Sequence, residues 1–76
     1  MAYNPIPYGA FVATLERIRP KGGRKRWRDL LGNIYEWDSR HCELERYDRQ
    51  GRHNGVIDPE TGRKIRPKVP GRRTAT

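Results

Sequence analysis

The sequence predicts a mainly β domain of the α+β class, in which a small twisted antiparallel sheet follows a short N-terminal helix. Three observations carry that expectation. After residue 33, short runs rich in β-branched and aromatic residues alternate with clusters of Gly, Asp, Asn and Pro. Before residue 20, apolar residues recur at helical spacing. The length of 76 residues leaves room for one modest core.

Residues 1–7 contain Pro5 and Pro7 and read as an extended lead-in. From Tyr8 to Ile18, Phe11, Leu15 and Ile18 stand at i, i+4 and i+7, which makes one apolar stripe. Pro7 and Pro20 bracket that stretch as helix boundaries. A helix of about three turns is too short to persist alone, so it must dock. The stretch from Pro20 to Arg28 reads as a basic linker, with Gly22-Gly23 inside it. Ile34-Tyr35-Glu36-Trp37 alternates as a strand, and Asp38-Ser39 signals a turn. Cys42 to Tyr47 is a second strand, Asp48-Arg49-Gln50-Gly51 a turn, and His53 to Ile57 a third strand that Gly55 weakens or bulges. Asp58-Pro59-Glu60-Thr61-Gly62 is the clearest turn; Lys64 and Ile65 begin a last strand that Pro67 ends. Short turns between successive strands imply an antiparallel meander. The expected organisation is an extension with a short helix over 1–20 and the main domain, with a basic tail, over 21–76.

Only 33% of the residues are hydrophobic and 34% are charged, with a net charge of +8. A thin core must therefore rest on Trp27, Trp37 and the tyrosines. The charge attracts polyanions, nucleic acid first and an acidic protein second. No apolar run approaches the roughly 20 residues that span a bilayer, and no secretory signal is visible. Neither a membrane nor self-directed export is expected. Cys42 is the sole cysteine, and with only His41 and His53 beside it a zinc site is not expected.

The chemistry concentrates between residues 38 and 45. Asp38 and His41 at positions i and i+3 of a turn bring a carboxylate beside an imidazole. His41, Glu43 and Glu45 are spaced by two, so a strand would point all three to one face, with Cys42 and Leu44 opposite. That constellation suits acid–base work. Spacing alone favours a plainer alternative, in which Glu43 and Glu45 are the wet face of a half-exposed strand. His53 reads as structural, and Tyr35 and Trp37 as core or sheet-face residues, with stacking of a base left open for Tyr35. From residue 34 to 48 five acids stand against Arg40 and Arg46, while 19–28 and 63–73 each hold six Lys or Arg. Cations would hold a phosphate backbone while carboxylates move protons. Lys25, Arg26, Arg63, Lys64 and Arg66 are the candidate RNA-binding cations. A non-catalytic RNA- or ribosome-binding module, and a glycosidase using Glu43 and Glu45, are the competing classes.

The segment Lys25-Arg26-Trp27, followed by Ile34-Tyr35-Glu36-Trp37-Asp38-Ser39-Arg40-His41-Cys42-Glu43-Leu44-Glu45, resembles the cytotoxic ribonuclease domain of the ribosome-inactivating colicins and cloacin. The similarity continues through Tyr47, Gly51, His53, Gly55 and Asp58-Pro59-Glu60-Thr61-Gly62, and covers about Gly22 to Arg73. The resemblance implies a highly twisted antiparallel sheet with a short N-terminal helical element. It implies metal- and cofactor-free cleavage of small-subunit ribosomal RNA in the decoding centre of the ribosome, a block to translation, and an acidic immunity protein or antitoxin as partner. By motif position it assigns catalysis to Asp38, His41, Glu45 and Arg72, an accessory acid to Glu43, and other cleft positions to Tyr35 and His53. It implies action in the bacterial cytoplasm after delivery by regions that this chain lacks. Cys42 stands where the family carries glycine, the turn before His53 is slightly shorter, and the tail lacks the family's lysine-rich aromatic ending. Arg73 and Arg66 are therefore alternatives to Arg72.

Overall fold

The computed structural model describes residues 9–76; the lead-in over 1–7 and the start of the expected helix at Tyr8 lie outside them. Six strands form one antiparallel sheet in chain order: β1 (Glu16–Lys21), β2 (Arg24–Arg28), β3 (Ile34–Asp38), β4 (Glu43–Tyr47), β5 (His53–Ile57) and β6 (Lys64–Pro67). β3 to β6 are the meander that the turn signals predict; β1 and β2 are added to it. Among the described residues no helix is long and apolar enough to cross a membrane.

The N-terminal helix is a correction. Among the described residues only Val12–Thr14 winds, as a single 3-10 turn, and the backbone is already extended at Leu15. The physical reason lies in the supposed linker. Gly22 and Gly23 both take positive φ, 60° and 78°, and close a two-residue hairpin that pairs Lys21 with Arg24. Residues 16–21 thereby gain a strand partner along β2, which outweighs a helix too short to persist. β1 is an edge strand, so Pro20 removes no essential ladder bond; the register shift between Ile18 and Lys21 brackets it. The expected break between residues 20 and 21 thus falls inside β1. Phe11 and Leu15 still serve the core, but from the positions that flank the 3-10 turn. Phe11 stacks edge-on against Tyr35 at 5.6 Å, and a Cβ at Gly62 would stand 2.6 Å from its ring.

One face of the sheet supplies Trp27, Tyr35, Trp37, Leu44 and Ile57 to the core, and Val12 of the 3-10 turn joins them. Strand parity then sends Arg26, Glu36, Asp38, Glu43 and Glu45 to the opposite face. Gly55 marks the bulge expected of it: Arg46 pairs with Gly55 and Tyr47 with His53, so β5 carries an extra residue.

Asp29 organises the β2–β3 turn. Its Oδ1 accepts the N–H groups of Leu31 and Asn33 at 3.0 and 2.9 Å, and its Oδ2 accepts the Asn33 amide and the Tyr35 hydroxyl, both at 2.9 Å. Burial raises its carboxyl, but the bonds from Asn33, Tyr35 and Leu31 together hold it below the usual range. A carboxyl depressed in the folded state contributes stability above its unfolded value of about 3.9, and loses it as pH falls through the folded value. Acid unfolding monitored by circular dichroism should therefore set in below about pH 4. Asp29→Asn should lower stability at neutral pH and flatten that acid dependence. An unchanged acid profile in the variant would remove Asp29 from the explanation.

Candidate active site

The site grows from the cross-strand register. Glu36 stands opposite Glu45, and Asp38 opposite Glu43. Beyond Glu45 the row continues to Val56 and then Arg66; on its other side Arg26 stands opposite Glu36. Facing carboxylates repel unless cations intervene, and here Glu36, Glu43 and Glu45 each have an arginine. Arg26 Nε lies 3.3 Å and Arg24 Nη1 3.8 Å from Glu36. Arg66 pairs with Glu43, and Arg72 Nη1 donates to Glu45 Oε1 at 3.0 Å. A cavity of about 610 Å³ opens on this face, lined among others by Asp38, His41, Glu43, Glu45, Arg66 and Arg72.

Asp38 and His41 meet as the turn geometry predicts. Asp38 Oδ2 lies 2.8 Å from His41 Nδ1, and Oδ1 accepts the backbone N–H groups of Arg40 and His41 at 3.1 and 3.3 Å. Burial pushes the Asp38 carboxyl up, but the His41 bonds and charge, with Arg24, draw it below the usual range. The imidazole is thus oriented by a carboxylate that stays ionised, and its Nε2 edge is left for other partners. His41 does not reach the cavity by strand parity, however. β4 begins at Glu43, and Cys42 has φ 55°, the left-handed region that breaks the two-residue alternation. Cys42 is exposed rather than core-facing.

His53 finds its partner across the β4–β5 hairpin. Its side chain is fully buried, Nε2 lies 2.7 Å from Glu45 Oε1, and Nδ1 accepts the Val69 N–H at 2.8 Å. Because Nδ1 accepts, the ring proton sits on Nε2 and points at Glu45. The local signal was the hairpin: a turn over 48–52 puts His53 opposite Tyr47, one same-face step from Glu45.

Arg72 is delivered by a strap formed from the tail. The Arg72 carbonyl accepts the His53 N–H at 2.9 Å, and the Thr74 N–H reaches the Gly51 carbonyl at 2.8 Å. Gly51, with φ 84°, allows this approach; a Cβ there would stand 2.4 Å from the Thr74 carbonyl oxygen. The Thr74 hydroxyl donates to Glu36, and Arg26 to the Ala75 carbonyl. The alternatives to Arg72 go elsewhere: Arg66 to Glu43 and Arg73 to the Gln50 carbonyl.

Two expected positions are corrected. Tyr35 is a core residue, 2% exposed, with its hydroxyl spent on Asp29, so it is neither a cleft residue nor a stacking platform. Its parity follows Trp37, which is also buried. Arg26 is 6% exposed and bound to Glu36 and Ala75, so it does not face RNA. Of the other candidate RNA-binding cations, Arg66 lines the large cavity, Lys25 lines a smaller one, and Arg63 and Lys64 are exposed without lining the large one. Arg24 and Lys68 also line the large cavity, although local sequence does not single them out. Asp38, His41 and Glu43 each offer a donor atom within 4.8 Å of the others, a spacing that admits a cation. His41 Nδ1 is already engaged with Asp38 and Glu43 with Arg66.

The chain is similar to known proteins over most of its length. The Cytotoxic family matches residues 13–75, a span that takes in β1 and so begins before Gly22. The chain is 38% identical to Colicin E3 and 45% identical to Colicin-E6, both of Escherichia coli, over 92% of its length and 15% of theirs. It is 47% identical to Cloacin of Escherichia coli over 67% of its length and 9% of that protein. The chain therefore spans less than a fifth of the length of these relatives. With the match running from the 3-10 turn to the tail strap, the chain belongs to the Cytotoxic family, the cytotoxic ribonuclease domain of colicins and cloacin.

Proposed function

We propose that the domain is a toxin endoribonuclease that cleaves small-subunit ribosomal RNA in the decoding centre by attack of the substrate's own 2′-hydroxyl, and so stops translation. The observation that carries this reading is the convergence on Glu45 Oε1 of His53 Nε2 and Arg72 Nη1, with Glu45 and Arg72 lining the same cavity as the Asp38–His41 pair. Glu45 accepts the 2′-hydroxyl proton through its other oxygen as the 2′-oxygen–phosphorus bond forms. The phosphorus–5′-oxygen bond breaks, and His41, held by Asp38, protonates the leaving oxygen. Arg72 lies where charge builds on the phosphoryl oxygens, and Glu43 tethers Arg66 at the same wall. The products are a 2′,3′-cyclic phosphate and a 5′-hydroxyl. The residues of this chain carry every proton in that scheme, with no metal or cofactor.

The partners of the reading are the ribosome and an acidic immunity protein or antitoxin, which the +8 charge would draw in quickly and with strong salt dependence. The site of action is the bacterial cytoplasm, after delivery by regions outside this chain. Incubation with ribosomes should release a single small 3′ fragment of small-subunit RNA, and an RNA carrying deoxyribose at the scissile nucleotide should remain intact. Binding without any fragment would favour the non-catalytic RNA-binding module; cleavage of the deoxyribose substrate would exclude the 2′-hydroxyl route.

A further inference from the structure

We propose that the domain carries a second anion subsite, on the far side of the Arg72 strap, that holds a neighbouring phosphodiester of the RNA strand. A separate cavity of about 440 Å³ lies there, and Arg52, Lys68, Arg72 and Arg73 line it together with Asn54 and Asp48. Four cations thus face one carboxylate. That carboxylate is already committed: Asp48 accepts the N–H groups of Gln50 and Arg52 and the Arg52 Nε at 2.9 Å. Arg52 and Arg73 are brought directly opposite each other by a backbone bridge. Like charges in that position are unfavourable across a ladder, and an anion between them removes the conflict. The Arg52 side chain is 62% exposed, so its guanidinium is open to a ligand as well as to Asp48.

The chemistry favours a phosphodiester over a carboxylate ligand. Arginine forks match phosphate oxygens in bidentate fashion. The two cavities also share the Arg72 wall, together with Lys68 and Val69. A strand whose scissile phosphate sits at Glu45 and Arg72 would continue past that wall into the second cavity. The subsite therefore rests on the ribonuclease reading for its ligand, and it can be tested without any cleavage.

The test measures binding of a short, fully 2′-O-methylated RNA, which has no 2′-hydroxyl to attack, by fluorescence anisotropy across a salt series. Arg52→Gln combined with Arg73→Gln should weaken binding and lower the slope of log affinity against log salt by about 0.7–0.9 for each phosphate no longer neutralised. Arg52→Lys with Arg73→Lys should recover the slope, and matched melting curves should show that the fold is kept. Unchanged affinity and slope in the glutamine variant would overturn the subsite even if ribosomal RNA is cleaved. An equal loss for a polyglutamate probe would also overturn it, since the cavity would then be a general anion surface. A weakened salt slope in a protein that cleaves nothing would support the subsite and reject only the ribonuclease reading.

Discussion

Glu45→Gln should reduce single-turnover cleavage of ribosomal RNA by about 10²–10⁴-fold, the scale on which general acid–base groups act. The substitution is chosen because it removes proton affinity with little change of shape. The amide oxygen can still accept from His53 Nε2 and Arg72 Nη1, which both address Oε1 in the native site. Melting temperature and RNA affinity should therefore stay close to native while the chemical step collapses. Glu43→Gln makes the matched control. Glu43 pairs with Arg66 in the same cavity, whereas Glu45 also holds the His53 hydrogen bond, so the loss at Glu43 should be much smaller. A near-native rate for Glu45→Gln, with Glu43→Gln the slower, would exchange the two roles.

Glu36→Ala should destabilise the fold by about 3–5 kcal/mol, the range seen when one partner of a buried ion pair is removed. Arg26 and Glu36 have side chains only 7% and 8% exposed. Without Glu36, the Arg26 guanidinium stays buried, and its Nε already lacks a well-aligned hydrogen bond. The Thr74 hydroxyl also loses its acceptor, which frees the end of the strap that carries Arg72. A domain this small has total stability near the low end of roughly 5–15 kcal/mol, so the variant should be largely unfolded at moderate denaturant. Replacing both partners with apolar residues, Arg26→Met with Glu36→Leu, should recover most of the stability, since neither charge is then stranded. Urea unfolding with an unchanged m-value reads both effects. A double variant as unstable as Glu36→Ala would mean that the loss comes from packing or the strap rather than from the stranded charge.

The two ends of the chain differ in how far local sequence decides structure. From Ile34 to Pro67 each strand is followed by turn residues of defined geometry, and strand parity sets which residues share a face. The meander, the Gly55 bulge and the shared face of Glu43 and Glu45 follow from that. From Tyr8 to Arg28 local signals conflict. Apolar spacing argues for a helix and Gly22-Gly23 for a hairpin, and the hairpin wins because β2 pairs on both sides. The same conflict misplaces Arg26, which looks like part of a solvated basic run until its strand gains a buried face.

The β meander, the turn that joins Asp38 to His41, and the family are legible in the bare chain, because each depends on residues near one another or on a long specific motif. The groups around Glu45 are not. His53 arrives by a bulged hairpin and Arg72 by a tail folded back 27 residues along the chain; Tyr35 turns away into the core. The His53 placement comes from bulged strand register, of which the sequence shows only the turn over 48–52, and that of Arg72 from backbone hydrogen bonds between distant segments, which no spacing along the chain encodes.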